Sequence, residues 1–422
     1  MTADHEESLT VEGTGILATH VKWEEVEEAL RQHFKTEARF GPNKSAGNVA
    51  DGVGFTSIVA LVEPDWVGAA ENEHLPSKTV VKLPTMINTL KITAALNAAH
   101  GGDDSVSLGS AVFRWAPVVR RLHNAEIAFY DFVRASKVCN KKLLLPAVYC
   151  WKRFSDSKDP SGFLVMEYVP SVWTAPIYYN LGKEQLDESL RAWAQLQALT
   201  YDDGFLNHAD VGGENNFEAM YDAMMGPEER RKMLQFLAKN FPELSELVGK
   251  VSAQVDDIQD FPRLGTECER IGMKPVLCHG DLWSSNLMWD AESKELKCII
   301  DYQVIYVGGP GCDIARMLLT SISGEERRKS QDDVLETYFK YFKSFMGDRQ
   351  LPYTLDQLKA SYYSALPLAC MLAVPMFGPV THYAKLMAKD DAEREKIHSS
   401  VREKAEAMLE DMLHQHELNQ KH

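Results

Sequence analysis

The run Val276-Leu277-Cys278-His279-Gly280-Asp281-Leu282-Trp283-Ser284-Ser285-Asn286-Leu287-Met288-Trp289 places an aspartate just past an apolar stretch, with an asparagine five residues later. A second apolar run, Cys298-Ile299-Ile300, delivers Asp301. Two acids and an amide at the ends of short buried strands make a hard-oxygen set of the kind that Mg²⁺ accepts. Asp and Asn also close ordinary strand-end turns. Here, though, the whole spacing coincides: H-x-D-x-x-x-x-N, then an acid behind a further apolar strand.

That spacing is the catalytic-loop and metal-acid pattern of phosphoryl transfer. The transferred group passes through a loose transition state, so the protein mainly positions groups and neutralises charge. Asp281 would orient the attacking hydroxyl and accept its proton, while Asn286 and Asp301 would hold Mg²⁺ against the phosphates. Upstream, Lys82 lies inside the apolar run Thr79-Val80-Val81-Lys82-Leu83, where a snorkelling or edge lysine is the alternative. Glu126 shares a helical stripe with Leu122, Phe129 and Val133, so a carboxylate takes a core-facing position that is costly without a partner. A strand lysine paired with a helix glutamate is how kinases anchor the α- and β-phosphates. Gly52 and Gly54, in Asp51-Gly52-Val53-Gly54, precede the first strand. Glycines let backbone amides approach a phosphate, although a turn alone accounts for one G-x-G.

The elements that must carry these residues can be outlined. An acidic leader, residues 1–20, reads as frayed. Apolar residues Trp23, Val26, Leu30 and Phe34 predict a helix, and Thr56–Val62 and Lys78–Leu83 a hairpin-like pair of strands. Residues 84–112 are an uninformative insertion. A long helix is expected over Trp115–Val133 and a strand over Phe163–Val169, ending at Pro170. Beyond Pro170 the pattern turns helical at Leu186–Leu199, Val334–Phe345 and Ala392–Leu418, interrupted by short strands at Val276–Cys278 and Leu296–Ile300. The division this suggests is 1–40, leader and helix; 41–170, a nucleotide-binding lobe; and 171–422, a helical lobe with the catalytic loop and acceptor pocket.

Composition sets bounds on partners. Over 422 residues, 45 Lys and Arg against 61 Asp and Glu give a formal net charge of −16, which repels nucleic acid and anionic lipid. The 45% hydrophobic content suits a packed globular protein. The longest apolar stretch, Ala365–Val380, is broken by three prolines and too short to span a bilayer. Seven cysteines without a CxxC pair suit reduced, buried thiols. With no signal segment at the N-terminus, a cytoplasmic protein is the expectation, with a monomer favoured.

His279-Gly280-Asp281 through Asn286, Ile300-Asp301-Tyr302-Gln303, Gly309-Pro310 and Cys312-Asp313-Ile314-Ala315 together resemble the aminoglycoside phosphotransferase and choline kinase superfamily. The wording around Asp281 and that of residues 40–57 are most similar to its CHK-kinase-like, or ecdysteroid-kinase-like, group. The resemblance spans roughly residues 40 to 400. It implies an α+β, protein-kinase-like two-lobed fold, with a small mixed strand and helix N-lobe and a large, mainly helical C-lobe. It also implies ATP and Mg²⁺ as cofactors and transfer of the γ-phosphate to a hydroxyl of a small molecule. Asp281 would be the catalytic base, Asn286 and Asp301 the metal ligands, and Lys82 with Glu126 the phosphate anchor. Glu167 and Tyr168 would lie in the hinge that meets adenine, a position that an ordinary strand end also explains. His279 and Asp313 would support the loop, and Arg316 would form a structural ion pair.

Three departures stand out. The glycine loop is abbreviated, Gln197 replaces a histidine common in relatives, and Asp-Tyr-Gln stands in place of Asp-Phe-Gly with no Ala-Pro-Glu after it. The last of these speaks against a protein kinase. A catalytically silent nucleotide- or metabolite-binding protein is the alternative from another class. Trp173, Tyr178, Tyr179, Tyr362 and Tyr363 are either pocket walls or core packing.

Overall fold

The computed structural model describes residues 8–49, 56–90, 108–136, 143–156, 158–213, 215–224, 226–378, 381 and 388–421. The chain forms two compact units, Met1–Lys141 with Pro146–Pro170, and Lys142–Leu145 with Ser171–His422.

In the first unit, helix α1 (Trp23–Phe34) precedes strands β1 (Ser45–Asn48), β2 (Ser57–Glu63) and β3 (Thr79–Pro84). Helix α2 (Leu108–Ala135) and strands β4 (Val148–Lys152) and β5 (Phe163–Glu167) follow. The strands form an antiparallel sheet in the order β1-β2-β3-β5-β4. Alternation along β2 and β3 sends Ile58, Ala60, Val62, Val81 and Leu83 into a core closed by Val26 and Leu30 of α1. The expected hairpin pairing is present, with Val59 opposite Lys82.

The leader departs from expectation. From Leu9 onward it is packed rather than frayed: Leu9 is buried against Met86, Ala116, Val119 and Phe154, and its carbonyl accepts the Met86 N–H at 2.8 Å. Ile16 joins the core under α1. A few apolar residues in an acidic segment suffice, because each lands in a ready-made core and its neighbours face water. The long helix starts at Leu108, seven residues before the predicted start.

The second unit contains β6 (Val172–Thr174), α3 (Lys183–Thr200), α4 (Asn216–Met224) and α5 (Pro227–Asn240). After several short helical turns come β7 (Val276–Cys278), β8 (Leu287–Asp290), β9 (Leu296–Ile299) and β10 (Tyr306–Gly308). Helices α6 (Gly311–Ser321), α7 (Gly324–Met346), α8 (Leu355–Ala373) and α9 (Asp391–Gln420) complete it. Two small antiparallel ladders, β9-β8-β6 and β10-β7, hold the loops that carry the candidate acids. The fold class is therefore the one read from the sequence, a mixed strand and helix unit followed by a larger, mainly helical one. Among the described residues no helix is long and apolar enough to cross a membrane.

Candidate functional site

In the first unit, the structure brings Lys82 of β3 and Glu126 of α2 together, with Nζ 2.7 Å from Oε2. The side chains are 10% and 1% exposed, so this is an almost dry ion pair. At such depth each charge is offset by the other. Glu167 ends β5, and its N–H donates to the Ala147 carbonyl at 2.8 Å, so that N–H already has a partner. Tyr168 follows on the surface. Gly52 and Gly54 lie outside the described residues.

In the second unit, β7 ends at Cys278 and the chain turns sharply through His279, Gly280 and Asp281. Asp313, entirely buried in the first turn of α6, holds that turn by its backbone. Its Oδ2 accepts the His279 N–H at 2.6 Å, and its Oδ1 accepts the Gly280 N–H at 2.9 Å. Burial pushes the Asp313 carboxyl up to about 7, against the pull of those two donors and Arg316. His279 ties the loop to the next strand: its Nδ1 accepts the Asp281 N–H at 3.2 Å and its Nε2 faces the Ile300 carbonyl at 3.1 Å. That arrangement calls for the neutral tautomer protonated on Nε2, and burial, the largest influence, lowers its pKa to about 4.

Gly280 has φ +78°, and a Cβ placed on it would sit 2.2 Å from the Val304 carbonyl oxygen. Both the backbone angle and the space exclude a side chain. Gly280→Ala should therefore cost about 3 kcal/mol or more, measurable as a fall in the midpoint of chemical unfolding.

Asp281 is the carboxylate that this turn presents, with its side chain about 20% exposed. The Asn286 Nδ2 donates to the Asp281 backbone carbonyl at 2.8 Å and to Oδ2 at 3.2 Å. Oδ1 takes a charge-assisted bond from Arg316 Nη2 at 2.5 Å and a longer one from the Tyr221 hydroxyl at 3.3 Å. Arg316 Nη1 in turn donates to the Tyr221 oxygen at 2.6 Å. Burial raises the Asp281 pKa, Arg316 opposes the rise, and the nearby Asp301 charge adds to it.

Asp301 follows β9 in a left-handed conformation, φ 71° and ψ 59°, a strain of about 1–2 kcal/mol for a residue with a side chain. Strain of this kind gathers at functional sites. The Ile300 N–H donates to the Asn286 carbonyl at 3.1 Å, so the segment before Asp301 is bonded directly to the other candidate ligand. The Asn286 amide nitrogen is engaged by Asp281, which leaves Oδ1, the atom of an amide that binds a hard cation.

Three residues play larger parts than the sequence indicates. Arg316 forms an ion pair, as expected, but its partner is Asp281 itself. Tyr221, sixty positions away in the chain, carries no local signal. Gln197 is a fully buried hub: its Nε2 donates to the Leu277 carbonyl at 2.9 Å, and its Oε1 accepts from Tyr338 and, at 3.0 Å, from Tyr353. It thus steadies the strand that leads into the loop. The aromatic residues singled out earlier pack elsewhere. The Tyr362 and Tyr363 hydroxyls donate to Gln331 and Asp332, and Trp173 meets Tyr179 edge-to-face. The rings associated with Asp281 are Tyr221 and, through it, Phe217 and Phe261.

A family profile matches this chain over residues 9–420, that of DUF1679, described as "Uncharacterized oxidoreductase dhs-27". The "Uncharacterized kinase-like protein D1044.1" of Caenorhabditis elegans is 26% identical over 362 residues, covering 83% of this chain and 88% of that one. The same nematode's "Uncharacterized oxidoreductase dhs-27" is 24% identical over 326 residues, 73% of this chain but only 36% of that protein. A Plasmodium vivax ethanolamine kinase aligns with a TM-score of 0.40 at 12% identity, over 90% of this chain and 86% of that one.

Proposed function

The chain belongs to the DUF1679 family, and from that premise we propose that it is an ATP-dependent phosphotransferase acting on a hydroxyl of a small molecule. The observation that carries this reading is the Asp281 turn: a partly exposed carboxylate, clamped by Asn286, Arg316 and Tyr221, on a loop whose backbone is fixed by a buried acid. Within the other unit, the Lys82–Glu126 pair is of the kind with which kinases anchor the α- and β-phosphates. The named likeness to a kinase-like protein supports the same reading.

Asp281 orients the acceptor hydroxyl and takes its proton as the oxygen attacks the γ-phosphorus, while the bond from that phosphorus to the bridging β-phosphate oxygen breaks and ADP leaves. Asn286 Oδ1 and the Asp301 carboxylate are the hard-oxygen donors suited to Mg²⁺, which takes one or two protein ligands and fills the rest of its shell from phosphates and water. When bound, the ion supplies neutralisation of the phosphate charge. The acceptor class is a steroid-, choline- or glycoside-like alcohol, and the enzyme works in the cytoplasm.

The oxidoreductase wording, in the family's description as in the relative's name, is that of a protein of which this chain spans 36%. A dinucleotide fold needs a parallel sheet with a glycine turn into a helix, whereas the paired strands among the described residues are antiparallel.

The test is incubation of the purified protein with γ-labelled ATP, Mg²⁺ and a metabolite extract. Label should pass to a small molecule with the wild type and not with Asp281→Asn. Label on peptide serines alone would make it a protein kinase, and nucleotide binding without transfer would make it silent.

Arg316 gives a second handle. It opposes the upward push on the Asp281 pKa, so Arg316→Met should move the acid limb of the kcat/KM profile to higher pH. An unmoved limb would show that Asp281 is not the group titrating.

A further inference from the structure

Arg230, near the start of α5, is a wholly buried cation in the helical unit. Its Nη1 donates to the Met371 carbonyl of α8 at 3.0 Å, whereas its Nε and Nη2 are buried without a hydrogen-bond partner. Burial, the largest influence, lowers its pKa to about 10, Tyr221 favours the charge and Arg316 opposes it. The guanidinium is therefore charged at neutral pH, yet among the described residues no carboxylate pairs with it. A buried charge without a counter-ion is costly and calls for an explanation.

The neighbour it does have is an aromatic ring. Arg230 Cζ lies 5.7 Å from the centre of the Tyr221 ring, within the range over which a guanidinium is drawn to a π face. Arg316 Cζ lies 5.4 Å from the same centre, so two cations share one phenol. Phe217, edge-on at 4.9 Å, and Phe261, stacked at 6.5 Å, enclose the ring with apolar surface. The Tyr221 hydroxyl, meanwhile, donates to Asp281 Oδ1 at 3.3 Å. Burial holds the proton on that phenol, and Arg316 and Arg230 both pull the other way. A cation that draws electron density from a phenol makes its O–H a stronger donor.

We propose that Arg230 is a positioning residue for phosphate transfer, acting through the Tyr221 ring to hold the phenol in place and to strengthen its hydroxyl bond to Asp281. The proposal rests on the reading of Asp281 as the base. It explains why a guanidinium stands in the interior without an acid: the ring is its partner. Because Nη1 is tied to α8, the cation is a fixed stop against which the ring rests. Arg316 clamps Asp281 directly, and Arg230 steadies the second member of that clamp from behind.

The experiment is a double-mutant cycle of Arg230→Met and Tyr221→Phe in the full chain. It is read as the urea midpoint and as the rate of label transfer from γ-labelled ATP at a fixed amount of metabolite extract. Arg230→Met should slow transfer at saturating ATP about three- to tenfold, the contribution of one hydrogen bond, with KM for ATP within about twofold of wild type. Tyr221→Phe keeps the ring and removes the hydroxyl. In that background Arg230→Met should still lower the urea midpoint but no longer slow transfer. A rate loss of equal size in both backgrounds would overturn the proposal and leave Arg230 a purely structural residue. A second readout needs no turnover: in a chain labelled with fluorotyrosine, the fluorine resonance that Tyr221→Phe deletes should move in Arg230→Met. An unmoved resonance would also overturn the proposal. If Arg230→Met fails to fold, Arg230→Lys, which keeps the charge but not the planar fork, takes its place in both measurements. Absence of transfer by wild type would count against the phosphotransferase reading, and the fluorine resonance would still decide whether Arg230 acts on Tyr221.

Discussion

Asp281→Asn should lower kcat for phosphate transfer by about 10²–10⁴-fold, the contribution of a positioned general base, with little change in KM for ATP. An amide keeps the shape of the group and the bond to Asn286 but cannot take a proton from the acceptor hydroxyl. The substitution has a structural side effect that must be separated from the chemical one. The Arg316 side chain is 6% exposed and keeps only Tyr221 as a direct partner once the carboxylate is gone. Removing one member of a buried pair costs about 3–5 kcal/mol, and the partial exposure of Asp281 places this case toward the lower end. Unfolding curves for Asp281→Asn and for Asp281→Asn with Arg316→Met separate the two effects, because the double variant has no orphaned guanidinium. Its stability should recover while its activity stays lost. Turnover by Asp281→Asn within a factor of about three of wild type, well short of what general-base loss costs, would remove Asp281 from the mechanism.

The parts of this site that the sequence displays are those built locally. Strand Val276–Cys278 and the acid after Ile299 are legible because short apolar runs that end in polar residues have few other uses in a buried sheet. Glu126 is legible because helical periodicity assigns it to a face where its charge needs an answer. Interactions that depend on distant segments are not displayed in this way. Nothing near Tyr221 marks it, since its role comes from α4 passing beside a loop sixty residues on. Arg316 had a signal that can be read in hindsight: it lies three residues after Asp313 in an otherwise apolar helix, so both polar groups share one buried face of α6.

The same limit applies to the fold. Ser45–Asn48 contains no β-branched residue, and it is a strand only because Ser57–Glu63 offers a partner edge. The first turns of α7, Glu-Glu-Arg-Arg-Lys-Ser-Gln-Asp-Asp, show no apolar stripe. Their helix is set by the Ser323 cap, which accepts the Glu326 N–H at 3.1 Å, and by Arg327, buried against Asp411.

Asp313→Ala should be the most destabilising single change in the second unit. It strands the His279 and Gly280 N–H groups, which have Asp313 as their acceptor at 2.6 and 2.9 Å, at two buried residues. Each orphaned donor costs about 1–3 kcal/mol, so the pair amounts to about 2–6 kcal/mol, read as a lower urea midpoint. Asp313→Asn offers little relief, because one of its two atoms becomes a donor facing a donor. A pH dependence follows from the carboxyl being pushed up to about 7 in the folded chain, above the usual Asp value of about 3.9 when unfolded. Between those two values the folded chain holds a proton that the unfolded chain has released. The stabilising contribution of Asp313 is thus fully present below about pH 4 and is lost as pH rises through 7. The stability gap between wild type and Asp313→Ala should accordingly narrow from pH 5 to pH 8. A gap that widens over that window would mean that the two backbone donors and Arg316 outweigh burial and hold Asp313 ionised throughout.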